Sequence, residues 1–115
     1  MTRRRVTLEM GMGTDIHGGE YTKPAERALR DALWHNSLSI GAAMGLTADD
    51  MHVVVTVAVP EPDQVDMEAV LAILPHGTSE GKAVKGGLEI PNEAGTDKTV
   101  MALAAVEVWL EVPEK

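Results

Sequence analysis

The run Met51–Val59 constrains the fold most strongly, because it is apolar at almost every position. Such a run is typical of a central strand that is covered on both faces of its sheet. Pro60 and Pro62 follow closely and end the strand, since proline cannot donate a hydrogen bond to a neighbouring strand. We therefore expect Met51–Val59 to lie inside a sheet with other elements packed around it.

Two further strands are indicated by alternation of polar and apolar residues. Arg5–Met10 alternates with period two, which predicts a half-buried strand with Val6, Leu8 and Met10 facing the core. The segment Val100–Val112 alternates in the same way and predicts a last strand with one buried and one open side.

Helical spacing of apolar residues predicts two helices between these strands. The first extends from Ala25 to about Gly41. The second is shorter, begins after a cap at Asp63 or Asp66, and ends at Leu74. The glycine-rich segment 78–92 predicts a short irregular strand with a bulge or wide turn.

The element order β-α-β-α-β-β predicts an α+β protein with a single domain over residues 1–115. A four-stranded mixed sheet would carry both helices on one face. A partner subunit would then have to cover the other face. Trp34, on the polar side of the first helix, and Trp109, on the open side of the last strand, are large apolar residues outside the predicted core. The uncovered sheet face and the two tryptophans outside the core both predict a homo-oligomer.

Charge and composition restrict the partners. The net charge of −8 and the pI of about 4.8 argue against nucleic acid, and the cluster Arg3–Arg5 is interpreted as a solvated terminus. No segment approaches the roughly 18 consecutive apolar residues of a membrane span. The chain contains no cysteine, which excludes disulfide and thiolate chemistry. We expect a cytoplasmic protein without a membrane partner.

The stretch Met10–Gly19 is the strongest candidate for a functional site. Four of its ten residues are glycines, namely Gly11, Gly13, Gly18 and Gly19. Glycine lets the backbone lie against a ligand or against another segment of main chain. Asp15 and His17 add a carboxylate and an imidazole two positions apart. The stretch is predicted to be a loop between the first strand and the first helix.

Asp15 and His17 are open to three interpretations. They can be two ligands of a metal ion, a carboxylate and an imidazole used in acid–base catalysis, or local caps of the loop. A catalytic metal site needs about three protein ligands, and no second ligand pair is apparent, so neither a metal nor another cofactor is assigned. Ile16 occupies the position of the third glycine in the dinucleotide-binding motif, which excludes that mode of nucleotide binding.

Three more residues are candidates for ligand binding: His35, Asn36 and Lys85. His35 and Asn36 are poor helix formers placed near the core side of the first helix. Lys85 lies in a glycine-rich segment, where it could act as an electrostatic clamp or as a base. The backbone N–H groups of Gly18, Gly19 and Thr22 could receive an anionic group if the loop folds against the N-terminus of the first helix.

The segment Gly11-Met12-Gly13-Thr14-Asp15-Ile16-His17-Gly18 resembles the GxGxDxHG signature of a small family of conserved hypothetical proteins. The segments 22–25, 28–32 and 35–37 are also similar to that family's first helix. The resemblance extends over the full chain and implies membership of the family. It implies no reaction, because no activity is assigned to the family.

Two functions are consistent with these residues. In the first, the stretch Gly11–Gly19 forms a small-molecule site at a subunit interface, with His17 as the acid–base or ligand-binding group and Asp15 as its orienting residue. In the second, the stretch is a packing device, and the protein is a non-catalytic assembly or partner-binding module that uses Trp34 and Trp109. The residues leave open whether the protein is an enzyme.

Overall fold

The computed structural model describes residues 2–34, 51–74 and 78–112. These residues form five strands and two α-helices, which are β1 (Thr2–Asp15), α1 (Thr22–Trp34), β2 (Met51–Val59), α2 (Met67–Leu71), β3 (Thr78–Lys85), β4 (Leu88–Pro91) and β5 (Lys98–Val112). A short 3-10 helix at Pro62–Gln64 precedes α2. The predicted α+β class with a mixed sheet is confirmed, although the sheet has five strands and not four.

The strands form one mixed sheet in the order β1-β5-β2-β3. β5 is antiparallel to both β1 and β2, whereas β2 and β3 are parallel and are joined by a crossover that contains α2. β4 is antiparallel to the first residues of β5. The segment predicted as one irregular strand is therefore two strands, because the chain turns at Gly86–Gly87, where Gly87 has a φ of +70°.

The core lies between the helices and one face of the sheet. Alternate residues of β2 are buried there: Met51, Val53, Val55, Val57 and Val59. The residues between them are only half-buried. The prediction that both faces of Met51–Val59 are covered is therefore wrong for the described part of the protein, since only the helical face is packed.

β1 is longer than predicted, and in its central part the side chains point to the opposite side of the sheet from the one predicted. Leu8 and Met10, predicted to face the core, are exposed on the other side of the sheet. The reason is Gly13, which faces α1 so closely that a Cβ there would lie 2.3 Å from the backbone nitrogen of Ala28. Side chains alternate along a strand, so the residues on either side of the glycines point away from the helix. A register shift at Val6 leaves that residue packed against the core, as predicted.

Both helices pack on the same face of the sheet, as predicted. The backbone N–H of Asp66 donates to the hydroxyl of Thr22 at 2.9 Å, which links α2 to the first turn of α1. The carboxylate of Asp66 caps α2 by accepting from the backbone N–H of Ala69, which confirms the expected helix start. The end predicted for the first helix, near Gly41, lies outside the described residues.

The opposite side of the sheet, which we call the open face, is not covered by any described element. It carries these side chains: Arg3, Arg5, Leu8, Met10, Met12, Thr14, Thr99, Met101, Leu103, Ala105, Glu107, Trp109, Glu111, His52, Val54, Thr56, Ala58, Thr78, Glu80, Lys82, Val84, Leu88 and Ile90. Trp109 lies on it, as predicted, but is half-buried, and its Nε1 atom has no acceptor among the described residues. Trp34 is 85% exposed on α1, which confirms that it lies outside the core. None of the helices in the described ranges is long and apolar enough to cross a membrane.

Candidate functional site

Gly11 and Gly13 serve the contact between β1 and α1. A Cβ at Gly11 would lie 2.4 Å from the backbone nitrogen of Ala32, and one at Gly13 would lie 2.5 Å from the backbone oxygen of Pro24. Both distances are far below the separation of ordinary non-bonded atoms. These two glycines therefore let the helix backbone approach the strand, and they are part of β1 and not of the predicted loop.

Asp15 ends β1 and is the buried charged residue among those described. Its carboxylate accepts a hydrogen bond from the backbone N–H of His17 at 3.1 Å. The guanidinium of Arg27 lies 3.9 Å from the same carboxylate and donates to the backbone oxygen of Thr14 at 2.6 Å. Asp15 thus holds the turn that follows β1, and its side chain contacts the main chain of His17 instead of the imidazole.

The imidazole of His17 is paired with a different carboxylate. Its Nδ1 atom lies 2.9 Å from Oδ2 of Asp97, and the side chain is 80% exposed. The other oxygen of Asp97 accepts from the backbone N–H of Lys98 at 2.8 Å. The hydrogen bond with His17 holds the pKa of Asp97 below its usual range, and the Lys98 amide adds to this effect.

Asp97 was not among the predicted site residues, because it lies 80 positions from His17 in a segment interpreted only as a turn. The signal that could have found it is the strand pairing. β1 and β5 are antiparallel, so the residue that follows β1 meets the residue that precedes β5. A sequence model with these two strands paired would have brought residues 15–18 against residues 97–100.

Gly18 and Gly19 continue the turn beside the His17–Asp97 pair. The Gly18 amide donates to the backbone oxygen of Lys98, and the Gly19 amide donates to the backbone oxygen of His17, both at 2.8 Å. The expectation that these amides receive an anion is therefore wrong, because each already has a protein acceptor. Gly18 is buried against Val100, where a Cβ would lie 2.6 Å from a methyl group.

A cleft of about 320 Å³ opens at this end of the sheet. Its lining consists of Gly18, Gly19, Pro91, Gly95, Thr96, Asp97 and Lys98. The floor is mostly main chain and small side chains, and the polar groups come from Asp97, Lys98 and Thr96. The volume is at the lower end of the roughly 300–1,000 Å³ range of ligand pockets.

A second polar cluster, formed by Tyr21, Glu89 and Lys98, borders the cleft and was also missed by the sequence analysis. The ammonium of Lys98 lies 2.5 Å from Glu89 and 2.9 Å from the hydroxyl of Tyr21, and that hydroxyl donates to Glu89. Lys98 first, and Tyr21 next, hold the pKa of Glu89 below its usual range, while Glu89 raises the pKa of Lys98. The cluster joins β4 and β5 to the residue that precedes α1.

The remaining candidates are not brought to this cleft. Lys85 ends β3, opposite Val59 of β2, and β2 and β5 lie between it and β1. His35 and Asn36 lie outside the described residues. Within the ranges that the structure describes, no group of three or more His, Asp, Glu or Cys residues could hold a metal ion. His17 and Asp97 supply two such ligands, one short of the usual catalytic set.

Residues 5–108 match a family model described as "Conserved hypothetical protein (Lin0512_fam)". The chain belongs to this family. The family match covers every residue of the cleft and of the Tyr21–Glu89–Lys98 cluster. Membership, which the sequence analysis inferred from residues 11–18, is thus confirmed, while the part that this signature plays in the family stays a prediction.

One solved structure is similar to this member of the family over nearly its whole length. It is the crystal structure, at 1.22 Å resolution, of an FtsZ-like protein of unknown function from Nostoc punctiforme PCC 73102. The two chains share 41% sequence identity with a TM-score of 0.85, over 97% of this chain and 99% of that one. No functionally curated protein shows a significant match.

The lowered pKa of Glu89 predicts that the Tyr21–Glu89–Lys98 cluster loses strength in acid. A carboxylate with a lowered pKa stabilises the fold above its ordinary value of 4.5, and this stabilisation is lost as the pH falls below that value. Replacing Glu89 by Gln should therefore lower the melting temperature most at about pH 7 and progressively less toward about pH 3. Thermal unfolding across this range measures the effect.

Glu93→Gln is the matched control for this measurement, because Glu93 is an exposed carboxylate in the hairpin between β4 and β5. It should leave the melting temperature nearly unchanged at both pH values. Parallel curves for Glu89→Gln and Glu93→Gln would show that the cluster does not contribute to stability.

Proposed function

We propose that this protein is a homo-oligomer that binds a small polar molecule in the cleft beside Gly18 and Gly19. His17, whose partner Asp97 lines the cleft, would be the residue that contacts this molecule. The observation that carries the proposal is the 2.9 Å contact between Nδ1 of His17 and Asp97. A carboxylate on one ring nitrogen fixes the orientation and tautomer of an imidazole and leaves the other nitrogen available. Nε2 of His17 is that available atom.

The lining of the cleft supports a polar ligand of modest size. Gly18 and Gly19 present main chain without side chains, while Thr96, Asp97 and Lys98 supply polar groups. Lys98 is already neutralised by Glu89, so the cleft carries little excess positive charge. A neutral hydroxyl or amide compound is therefore a better match to these groups than a phosphate ester, whose recognition relies on free cations or free amides.

The same pair can exchange a proton with a bound molecule. A carboxylate on Nδ1 stabilises the ring when Nε2 accepts a proton. In this proposal His17 is the general acid–base, Asp97 orients it, and Asp15 positions the turn. Gly11 and Gly13 act indirectly by fixing β1 against α1. His35, Asn36 and Lys85 remain predicted ligand-binding residues. His35 and Asn36 lie outside the described residues, and Lys85 lies away from the cleft.

The proposal is tested by ligand retention. The protein is dialysed against a polar-metabolite extract, and retained compounds are identified and counted by native mass spectrometry. The wild type should retain a compound, and His17→Gln should weaken its binding by roughly 10- to 100-fold, the loss expected for a hydrogen bond to an ionisable group. Asp97→Asn should have a smaller effect in the same direction, because the imidazole remains but loses its orienting charge.

His52→Gln is a matched control. His52 also pairs with a carboxylate, Glu80, at 3.0 Å, but it lies at the other end of β2 and β5. Its replacement should leave retention unchanged. Equal losses for the two histidine variants, or a wild type that retains nothing, would count against the site. A collapse of the melting temperature in His17→Gln would assign His17 a structural role.

A second candidate function is supported by the open face and by Trp34: a non-catalytic assembly or partner-binding module. In this case the packing role of Gly11 and Gly13 accounts for much of the signature, and His17 only stabilises a turn. The two candidates make opposite predictions, since replacing His17 would then change no binding property, whereas replacing Trp34 would weaken association. Native mass spectrometry measures subunit number and bound ligand together and so separates the two.

A further inference from the structure

The exposed apolar side chains of this protein are concentrated on the open face. Of the nine large hydrophobic residues left exposed in the described ranges, seven lie there: Leu8, Met10, Met12, Val84, Leu88, Ile90 and Leu103. The most exposed are Met10, at 66%, and Met12, at 59%. Single exposed apolar residues are ordinary, but a contiguous group on one sheet face marks an interaction surface.

These residues form continuous rows across the strands. One row joins Met12, Leu103, Ala58 and Val84 on β1, β5, β2 and β3, without a polar residue between them. The neighbouring row begins with Met10 and Ala105 and ends with Thr56 and Lys82. Residues paired across strands point to the same side, so the rows make one surface.

The charge of the open face differs from that of the whole chain. It carries Arg3, Arg5 and Lys82 against Glu80, Glu107 and Glu111, so its formal charge is zero while the chain has −8. Arg3 pairs with Glu111 at 3.5 Å, and Arg5 pairs with Glu107 at 3.2 Å. Two copies that meet through this face therefore keep their excess negative charge away from the contact.

We propose that the open face packs against the open face of a second copy of this chain. Two such sheets, stacked about 10 Å apart, form a β-sandwich whose inner layer is the apolar rows. At about 3.3 Å per residue and 4.8 Å per strand, β1 and β5 extend about 50 Å along the face, whereas β2, β3 and β4 each cover only part of that length. The resulting area of roughly 800 Å² matches the about 800 Å² per partner of a standard interface.

The open face is the contact surface of the homo-oligomer in the proposed function, and its role is independent of the cleft. A face-to-face contact needs neither His17 nor a ligand. Association through α1 and Trp34 would support the homo-oligomer but would contradict the open face as its contact surface.

The test is the native mass and sedimentation behaviour of the full chain and of Met12→Glu. The wild type should have at least twice the mass of the 12.3 kDa chain. Met12→Glu should raise the dissociation constant about 100-fold or more, because association would have to desolvate an unpaired carboxylate. Trp34→Glu is the control: it places the same charge at an exposed apolar position off the open face, and its mass should match that of the wild type.

Methionine oxidation in the wild type keeps the test independent of whether the variant folds. Dilute peroxide converts exposed methionine to the sulfoxide. Met10 and Met12 should be oxidised several-fold more slowly at high protein concentration than at low concentration, because association covers them. A monomeric wild type, an oxidation rate that does not depend on concentration, or dissociation by Trp34→Glu and not by Met12→Glu would each overturn the proposal.

Discussion

Replacing Gly13 by alanine should lower the free energy of unfolding by about 3 kcal/mol, the upper part of the range for an overpacked core. The added methyl group would lie 2.3 Å from the backbone nitrogen of Ala28 and 2.5 Å from the backbone oxygen of Pro24. Both contacts are with helix backbone, which cannot move away by changing a rotamer. To accommodate the methyl group, α1 must therefore separate from β1 or the strand must bend.

Gly19→Ala is the control for this variant. Gly19 belongs to the same stretch Met10–Gly19, but a Cβ there would have no neighbour within 4 Å, and its φ is not positive. We expect a drop in melting temperature of about 10 °C or more for Gly13→Ala and almost none for Gly19→Ala, as measured by calorimetry. Similar shifts for both variants would contradict the assignment of Gly13 to the helix–strand contact.

This pair of variants also separates the two roles of the stretch Met10–Gly19. If Gly13 is structural, Gly13→Ala will lose stability, and any loss of ligand retention will be explained by unfolding. Gly19 lines the cleft, so Gly19→Ala can alter retention in a protein that keeps its fold. A change of retention without a change of stability would therefore point to the cleft itself.

Sequence patterns predicted the sheet best where one face is packed against the helices. The period of two along β5 and the near-continuous apolar run of β2 both gave strands close to the observed bounds. The α2 cap at Asp66 was also predictable, because an Asp that accepts from the third amide is a local interaction. These features depend on neighbours in sequence, and sequence reports them directly.

The orientation of β1 could not be predicted from hydrophobicity. Leu8 and Met10 are apolar and were assigned to the core, but the residues that face α1 include Gly11 and Gly13, which have no side chain to signal burial. Apolar alternation marks a surface that avoids water and does not distinguish the core of one chain from an interface between chains. The same apolar side chains that made the prediction wrong are those of the proposed contact surface.

The partner of His17 was unpredictable for a different reason. Asp15 is the nearest acid in sequence and suggested a direct pairing, but its carboxylate accepts from the main chain of His17, and the imidazole contacts Asp97. Contacts of this kind are set by the pairing of β1 with β5. They become visible only when the topology is known, since no local pattern links residues 80 positions apart.

Replacing Gly87 by alanine should be about as destabilising as replacing Gly13, but for two separate reasons, a strained backbone conformation and a steric contact. Gly87 has a φ of +70°, and a Cβ there would lie 2.2 Å from the backbone oxygen of Met101. The left-handed conformation alone costs a non-glycine residue about 1–2 kcal/mol. The contact with the main chain of β5 adds overpacking of a similar size.

Gly95→Ala isolates the conformational term, because Gly95 has a φ of +73° and no atom within 4 Å of its would-be Cβ. We expect a loss of about 1 kcal/mol for Gly95→Ala and about 3 kcal/mol for Gly87→Ala in denaturant titrations. The consequence for the candidate site should differ as well. Gly87 directly precedes β4, so its displacement moves Glu89 away from Lys98 and opens the wall of the cleft at Pro91. Hydrogen exchange should therefore accelerate in residues 88–91 of Gly87→Ala and stay slow there in Gly95→Ala, whereas equal exchange in both variants would show that β4 does not depend on this turn.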